Sequence, residues 1–381
     1  MSSPLPEPDA HGRDISRRLS RRIRQELAAN GGWMGFERYM RYALYEPELG
    51  YYHNASRKFG VEGDFVTAPE LSSALAEVLA REMVGLLAAL RDPVILEIGA
   101  GTGRLAEDLS RALQAESVGA RYWILEPSAE LRARQQAHLG AVGIEARWLE
   151  QLPTEPFEGL VLANEVLDAF PVTCFVKRAG ETRPLGVAWA GERFAWAEGE
   201  PQPSLSASIA ALEARLGRVL ADGYRSEISP ARPAWIHSVA SILRKGAILT
   251  IDYGLTEREY YHPQRDSGTL MCHYRHRAHA DPFLFPGLQD ISAWVDFSAC
   301  ARAGEAAGLG IAGFTTQGQF LVQGGAAERL ARAEGAAALQ AAQALKTLVL
   351  PGEMGERFKL LLLSRDLPLN PPPGRDFRDR L

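Results

Sequence analysis

The sequence predicts an α/β fold, a parallel sheet with helices on both faces. Two observations carry that expectation. Short apolar runs alternate with helical patterns along the chain, and one of the runs leads directly into a glycine-rich turn and a helix. No repeat of fixed period occurs, which argues against a solenoid or propeller.

The elements follow in order. The first ninety residues carry helical patterning, including an amphipathic helix over 15–30 that Gly31 and Gly32 end. A Gly- and aromatic-rich stretch over 50–69 interrupts it, and Pro69 then opens a long helix to Leu90. Strands are predicted over 94–98, 122–125, 146–149, 159–163 and 247–252, with helices over 104–113, 129–139 and 236–243. The late apolar segments 309–314 and 358–364 supply edge strands. Two stretches break the alternation: 183–200, patterned as a hairpin that opens an insertion, and 257–296, rich in His, Tyr, Arg and Pro. The tail from Pro368 is Pro- and charge-rich and reads as disordered. The domain plan is a helical cap with a substrate-side loop over 1–90, a core over 91–180, an insertion over 181–235, the remaining core over 236–367 with the His/Arg-rich insertion 257–296, and the tail 368–381.

Composition bounds the function. At 381 residues, 46% apolar and 23% charged, the chain is an ordinary globular protein with a net charge of -5 and no global attraction to nucleic acid or an anionic membrane. No apolar run approaches the roughly 20 residues needed to span a bilayer. Three widely spaced cysteines imply no disulfide framework and fit a reducing cytoplasm. The Arg-rich stretch 13–24 carries Glu7, Asp9, Asp14 and Glu26 around it, so it reads as part of the fold rather than a mitochondrial presequence.

The chemistry begins at the glycine turn, Glu97-Ile98-Gly99-Ala100-Gly101-Thr102-Gly103. Glycines after a strand let the backbone turn tightly and approach a ligand without a Cβ in the way. A dinucleotide fingerprint would place its third glycine at 104, which is Arg. An acid two residues before Gly99, and Gly at every second position after it, instead read as an S-adenosylmethionine turn. Glu97 would hold the cationic amino-acid end, directly or through water. Glu126, 23 residues beyond Gly103, ends the next strand and can accept from both ribose hydroxyls, a contact that would serve NAD equally well. Glu150 follows the third strand, either bonding the adenine amino group or lying in an exposed loop. A P-loop and a nucleophile elbow are absent from the sequence.

The run Asn164-Glu165-Val166-Leu167-Asp168-Ala169-Phe170-Pro171 follows the fourth strand, where open α/β sheets place their ligand crevice. Asn164, Glu165 and Asp168 therefore fall near the reacting methyl group, Asn164 on the cofactor side. Paired carboxylates match a guanidinium in fork geometry. The plainer alternative is that Asp168 caps the next segment and Glu165 is solvated. Cys272-His273-Tyr274-Arg275-His276-Arg277-Ala278-His279 lacks paired zinc-ligand spacing, and its arginines oppose a cation, so a polar loop lining a substrate groove is favoured over a metal site.

With these motifs in place, the chain resembles the MidA-type methyltransferase family, whose mitochondrial members are complex I assembly factors. The resemblance runs over about 36–367. It rests on Tyr45-Glu46-Pro47-Glu48-Leu49-Gly50-Tyr51-Tyr52, the run from Lys58 through Asp64 to Glu70, the glycine turn, the run ending at Pro171, Ile251-Asp252-Tyr253-Gly254, Gly268-Thr269-Leu270, Gln289-Asp290-Ile291, Val295-Asp296-Phe297, Thr315-Thr316-Gln317 and Met354-Gly355-Glu356-Arg357-Phe358-Lys359. It implies a class I, Rossmann-like seven-strand methyltransferase fold with an N-terminal helical cap. It also implies an arginine of a protein substrate as acceptor, dimethylated symmetrically, on a complex I core subunit or a bacterial equivalent. Gly99, Gly101 and Gly103 carry over as cofactor-binding, and Asp64, Glu165 and Asp168 as site-lining acids. A non-catalytic assembly module and a small-molecule methyltransferase are the competing expectations.

Overall fold

The computed structural model describes residues 5–54, 67–330 and 335–381. The chain divides into two compact units, one of Val66–Asp168, Pro233–Thr256 and Val295–Leu381, the other of Met1–Phe65, Ala169–Arg232 and Glu257–Trp294.

The first unit is built on a sheet whose main strands are β1 (Val94–Ile98), β2 (Arg121–Leu125), β3 (Arg147–Leu149), β4 (Phe157–Asn164), β5 (Leu243–Leu255), β6 (Gly310–Thr316) and β7 (Phe358–Arg365), ordered β6-β7-β5-β4-β1-β2-β3. Every residue of β1 is buried, as expected of a strand covered on both faces. β1, β2, β3, β4 and β5 pair in parallel, whereas β7 runs antiparallel to both β5 and β6. The chain steps outward from β1 to β3 and then returns to β4 on the other flank of β1. Strand order thus reverses between β1 and β4, which opens a crevice at their carboxyl ends. Of the two expected edge strands only β6 is one; β7 lies inside the sheet, because Leu360, Leu361, Leu362 and Leu363 are all buried there.

Two glycines let the central strands close. Gly159 on β4 has φ +155, and a Cβ on it would lie 1.8 Å from Val94 O; Gly246 on β5 has φ +135, and its Cβ would lie 1.9 Å from Gly159 O. Gly159 is paired with both Val94 and Gly246. Gly159→Ala is therefore expected to cost more than about 3 kcal/mol, since backbone rather than a movable side chain must give way. Thermal unfolding reads this directly, and an unchanged midpoint would contradict it.

The helix expected from Pro69 is two helices, Ala68–Leu71 and Ala74–Ala88. Ser72 is extended at φ -164 and its Oγ accepts from Ala74 N at 3.1 Å, while Ser73 Oγ donates to Glu77 Oε1 at 2.7 Å. Serine hydroxyls here compete with the helical ladder and restart it. Both helices belong to the sheet unit, so its N-terminal boundary lies near 66 rather than 91. The tail expected to be disordered is ordered: Phe377 N donates to Phe314 O at 2.7 Å, Asp376 Oδ1 accepts from Phe314 N at 3.3 Å, and Arg378 Nη1 donates to Ile311 O at 2.9 Å. These bonds cover the exposed edge of β6, which composition alone does not reveal.

The second unit joins the helices Ala10–Ala29 and Phe36–Tyr45 to an antiparallel sheet of Trp33–Gly35, Glu181–Ala190, Thr173–Arg178 and Arg225–Ile228, with Arg193–Glu198 also on Glu181–Ala190. Asp9 caps the first helix through Gly12 N at 2.7 Å, and Ile15, Leu19, Ile23 and Leu27 form its buried stripe at four-residue spacing. Because Thr173–Arg178 pairs with Glu181–Ala190, the insertion begins at Ala169 and not at 181. Its apolar run suits either sheet, so pattern alone could not assign it.

Candidate functional site

The glycine turn lies between β1 and the helix Arg104–Ala115. Gly99, Gly101 and Gly103 have φ of +69, +55 and +86, the left-handed region in which a Cβ is strained. Gly99 N donates to Leu125 O at 3.1 Å and Gly103 N to Ala100 O at 2.8 Å. A Cβ on Gly99 would meet Val166 Cγ2 at 3.2 Å, so its absence also lets the acid run after β4 approach the turn.

Glu97, one residue before the end of β1, is buried, and its Oε2 accepts from Tyr122 OH at 2.6 Å. Burial pushes its carboxyl up to about 7, against which the Tyr122 hydrogen bond acts. Among the described residues no cation pairs with this dry carboxylate, so it is an acceptor that a ligand ammonium would complete.

Glu126 is buried after β2; its Oε1 accepts from Ser128 N at 2.9 Å and its Oε2 from Gln135 Nε2 at 3.1 Å. Sequence reading passed over Gln135, which looks like any polar position of the helix Ala129–Ala141. It is fully buried, and its amide also donates to Gly101 O at 3.0 Å and accepts from Trp148 Nε1 at 3.1 Å. One carboxamide thus fixes the turn against Glu126; only its place four residues after Leu131 on a buried stripe hinted at this. Glu150 stands apart: its side chain is 70% exposed and pairs with Arg132 Nη2 at 2.9 Å, the exposed-loop alternative for that residue.

The acid run leaves β4 through Glu165, a non-glycine residue at φ +54. Glu165 Oε1 accepts from Asn164 Nδ2 at 3.2 Å and from Ala68 N at 3.3 Å. Asn164 Oδ1 is buried and has no hydrogen-bond partner among the described residues. Glu70, on the same short helix as Ala68, accepts from Thr102 Oγ1. The helix Ala68–Leu71 therefore touches both the acid run and the glycine turn, a second contribution that sequence reading missed. Asp168 is buried, and its N donates to Asp252 Oδ2 at 3.2 Å. Asp64 lies outside the described residues.

The Cys272–His279 segment forms a hairpin of Met271–Tyr274 with Arg277–His279, turned by Arg275 and His276 at φ +47 and +60. Two successive left-handed residues give the turn that suits strand twist. Burial lowers the pKa of both His273 and His279. Among the described residues no group of three or more His, Cys, Asp or Glu side chains is arranged to hold a metal ion. The same unit carries a groove of about 750 Å3 lined by Trp33, Phe36, Tyr42, Tyr45, Glu37 and Glu46, but Glu37 is paired with Arg41 at 2.8 Å and Glu46 with Arg22 at 3.3 Å.

A left-handed glycine cradle, a desolvated acid below it and an orphaned amide oxygen beside it fit S-adenosylmethionine. Fold and turn together define a class I adenosylmethionine-dependent transferase. Residues 75–315 match the family model of S-adenosyl-L-methionine-dependent methyltransferases. The chain belongs to that family, in its MidA-type branch. A crystal structure from Burkholderia thailandensis bound to S-adenosyl-homocysteine is 42% identical, superposes with a TM-score of 0.91, and covers 100% of both chains. Among curated proteins, "Protein arginine methyltransferase NDUFAF7 homolog, mitochondrial" of Drosophila melanogaster is 27% identical over 95% of this chain and 89% of its own. The Mus musculus "Protein arginine methyltransferase NDUFAF7, mitochondrial" is 29% identical over 85% and 79%. No described helix is long and apolar enough to cross a membrane.

Proposed function

We propose that this methyltransferase transfers methyl groups to an arginine side chain of a protein, with Glu165 and Asp168 facing the guanidinium. The observation that carries the reading is Glu165 itself, an acid in a left-handed conformation at the switch point between β1 and β4. Such an outlier is retained where the surroundings over-determine it, and these sites cluster at ligands. The names of the Drosophila and mouse relatives support an arginine acceptor. The family resemblance points to a core subunit of respiratory complex I or its bacterial counterpart. The reading includes a reducing, cytoplasmic setting, supported by Cys174, Cys272 and Cys300 being buried and outside any disulfide.

In this reading Glu97 holds the ammonium of the cofactor, Glu126 faces its ribose, Asn164 Oδ1 accepts from a bound group, and Gly99, Gly101 and Gly103 let the backbone approach. Glu150 faces the adenine only if its pair with Arg132 opens. When bound, the cofactor supplies a methyl group on a sulfonium, activated for in-line displacement. The protein's work is positioning and exclusion of water. Glu165 and Asp168 align the guanidinium by fork hydrogen bonds, localise its lone pair on the attacking nitrogen and accept the proton released.

The test is transfer of tritiated methyl groups into a lysate of cells lacking the protein. A labelled protein band that yields methylarginines on acid hydrolysis is expected. No labelled band under conditions where S-adenosyl-homocysteine binds sinks the catalytic reading in favour of an assembly module. Label confined to the low-mass fraction indicates a small-molecule acceptor.

A further inference from the structure

Among the described residues, four backbone amides converge on one carboxylate just beneath the acid run. Asp252, on β5 and 1% exposed, accepts through Oδ2 from Val166 N at 3.2 Å, Leu167 N at 2.8 Å and Asp168 N at 3.2 Å. Its Oδ1 accepts from Tyr253 N at 2.9 Å. Successive amides aimed at one point form an anion-binding concavity. Here the anion is the protein's own side chain rather than a ligand.

The same strand also holds the residue before those amides. Glu165 N donates to Ile251 O at 2.8 Å, so β5 grips the run on both sides of its left-handed turn. A left-handed glutamate relaxes toward ordinary backbone angles unless its neighbours are pinned. Bonds to an ionised acceptor are roughly twice as strong as neutral ones, and a buried amide that loses its partner stays unsatisfied. Asp252 is thus placed to set the direction of the Glu165 carboxylate without touching the acceptor.

We propose that Asp252 is a positioning residue for methyl transfer, its carboxylate holding the amides of Val166, Leu167 and Asp168 so that Glu165 stays in its left-handed conformation. This rests on the role given to Glu165 above. In the sequence Asp252 stands in the family-like run Ile251-Asp252-Tyr253-Gly254 at the end of an apolar strand, with no local sign of what its carboxylate binds. Only the register of β5 against β4, with Ile251 opposite Asn164, brings it under the run.

The experiment compares Asp252→Asn, Glu165→Gln and the double variant, full-length. S-adenosyl-homocysteine affinity of Asp252→Asn is expected within threefold of wild type, while tritium transfer falls about a hundredfold, as loss of alignment allows. The double variant is expected to transfer no more slowly than Glu165→Gln alone, because Asp252 acts through Glu165. Asp252→Glu keeps the charge but sets it one methylene further from β5, out of register with the amides, so it recovers only part of the rate; it also carries the test if Asp252→Asn does not fold, and wild-type transfer by it overturns the proposal. Losses that multiply in the double variant, or affinity that falls in parallel with rate, overturn the proposal while leaving Glu165 its role. Wild-type transfer by Glu165→Gln removes that role and this proposal with it. Hydrogen exchange reads the brace without any acceptor: the amides of Val166, Leu167 and Asp168 should exchange at least tenfold faster in Asp252→Asn, and unchanged exchange overturns the proposal.

Discussion

Gly101→Val is expected to weaken S-adenosyl-homocysteine binding at least a hundredfold, with the fold retained. Position 101 sits at φ +55, where a β-branched residue is a genuine outlier. Left-handed backbone costs such a residue about 1–3 kcal/mol. The peptide cannot swing away freely, because Gly101 O is held by Gln135 Nε2 at 3.0 Å. Either the turn keeps its shape and the isopropyl group enters the space the ligand needs, or it flips and breaks the bond to Gln135. A hundredfold loss is about 2.7 kcal/mol, within reach of either route. Calorimetric titration decides it, with circular dichroism to show that the helices persist. Affinity within threefold of wild type would falsify the assignment of the turn. Gly103→Ala provides the internal contrast. A Cβ there meets His138, Leu139 and Gln135 only at 3.6–3.8 Å, so backbone strain at φ +86 acts alone and the loss should be closer to tenfold.

How much of this was legible in the residues differs between the sheet and the site. The run 94–98 followed by glycines announced its strand and turn because period, length and glycine spacing all agreed. Thr173–Arg178 did not, since an apolar run carries no mark of which sheet it joins. The order of the tail is hidden for a related reason: Phe377 and Asp376 act by closing the edge of β6, a partner 62 residues away from Asp376 in sequence. Within the site, Glu97, the glycines and Glu165 stand beside recognisable local patterns. Gln135 does not, and Glu70 and Asp252, though they lie in family-like runs, carry no local sign of their role, because each matters through a contact made by folding: Gln135 with Gly101 O, Glu70 with Thr102, Asp252 with three amides of another strand's exit. Glu150 shows the converse, a correct-looking position whose side chain turns outward to Arg132.

Glu97 is where burial and ligand binding oppose each other, and both sides are measurable. Its carboxyl moves from an ordinary value of 4.5 to about 7 because burial strips it of water. The folded protein therefore holds this proton more tightly than the unfolded chain does. Stability from that source is fully present below the unfolded value near 4.5 and is lost as pH rises through about 7. Above pH 7 the charged, buried acid costs the ligand-free protein about 3 kcal/mol. Glu97→Gln removes that cost while keeping a hydrogen-bonding partner for Tyr122, so its unfolding midpoint should exceed the wild type's at pH 8 and converge with it near pH 5. Binding runs the other way. A ligand ammonium selects the ionised carboxylate, so S-adenosyl-homocysteine affinity of the wild type should fall up to tenfold for each pH unit below 7 and level off above it. In Glu97→Gln that dependence between pH 5.5 and 8 should vanish, leaving an affinity at pH 8 that is tenfold or more below wild type, as expected for a lost charge-assisted contact in a dry site. A stabilisation that does not vary with pH, or a wild-type affinity flat across this range, rejects the pairing of Glu97 with the cationic end of the cofactor. If both trends appear, the acid beneath the turn is a group the ligand-free fold holds at a loss and the bound state turns to use.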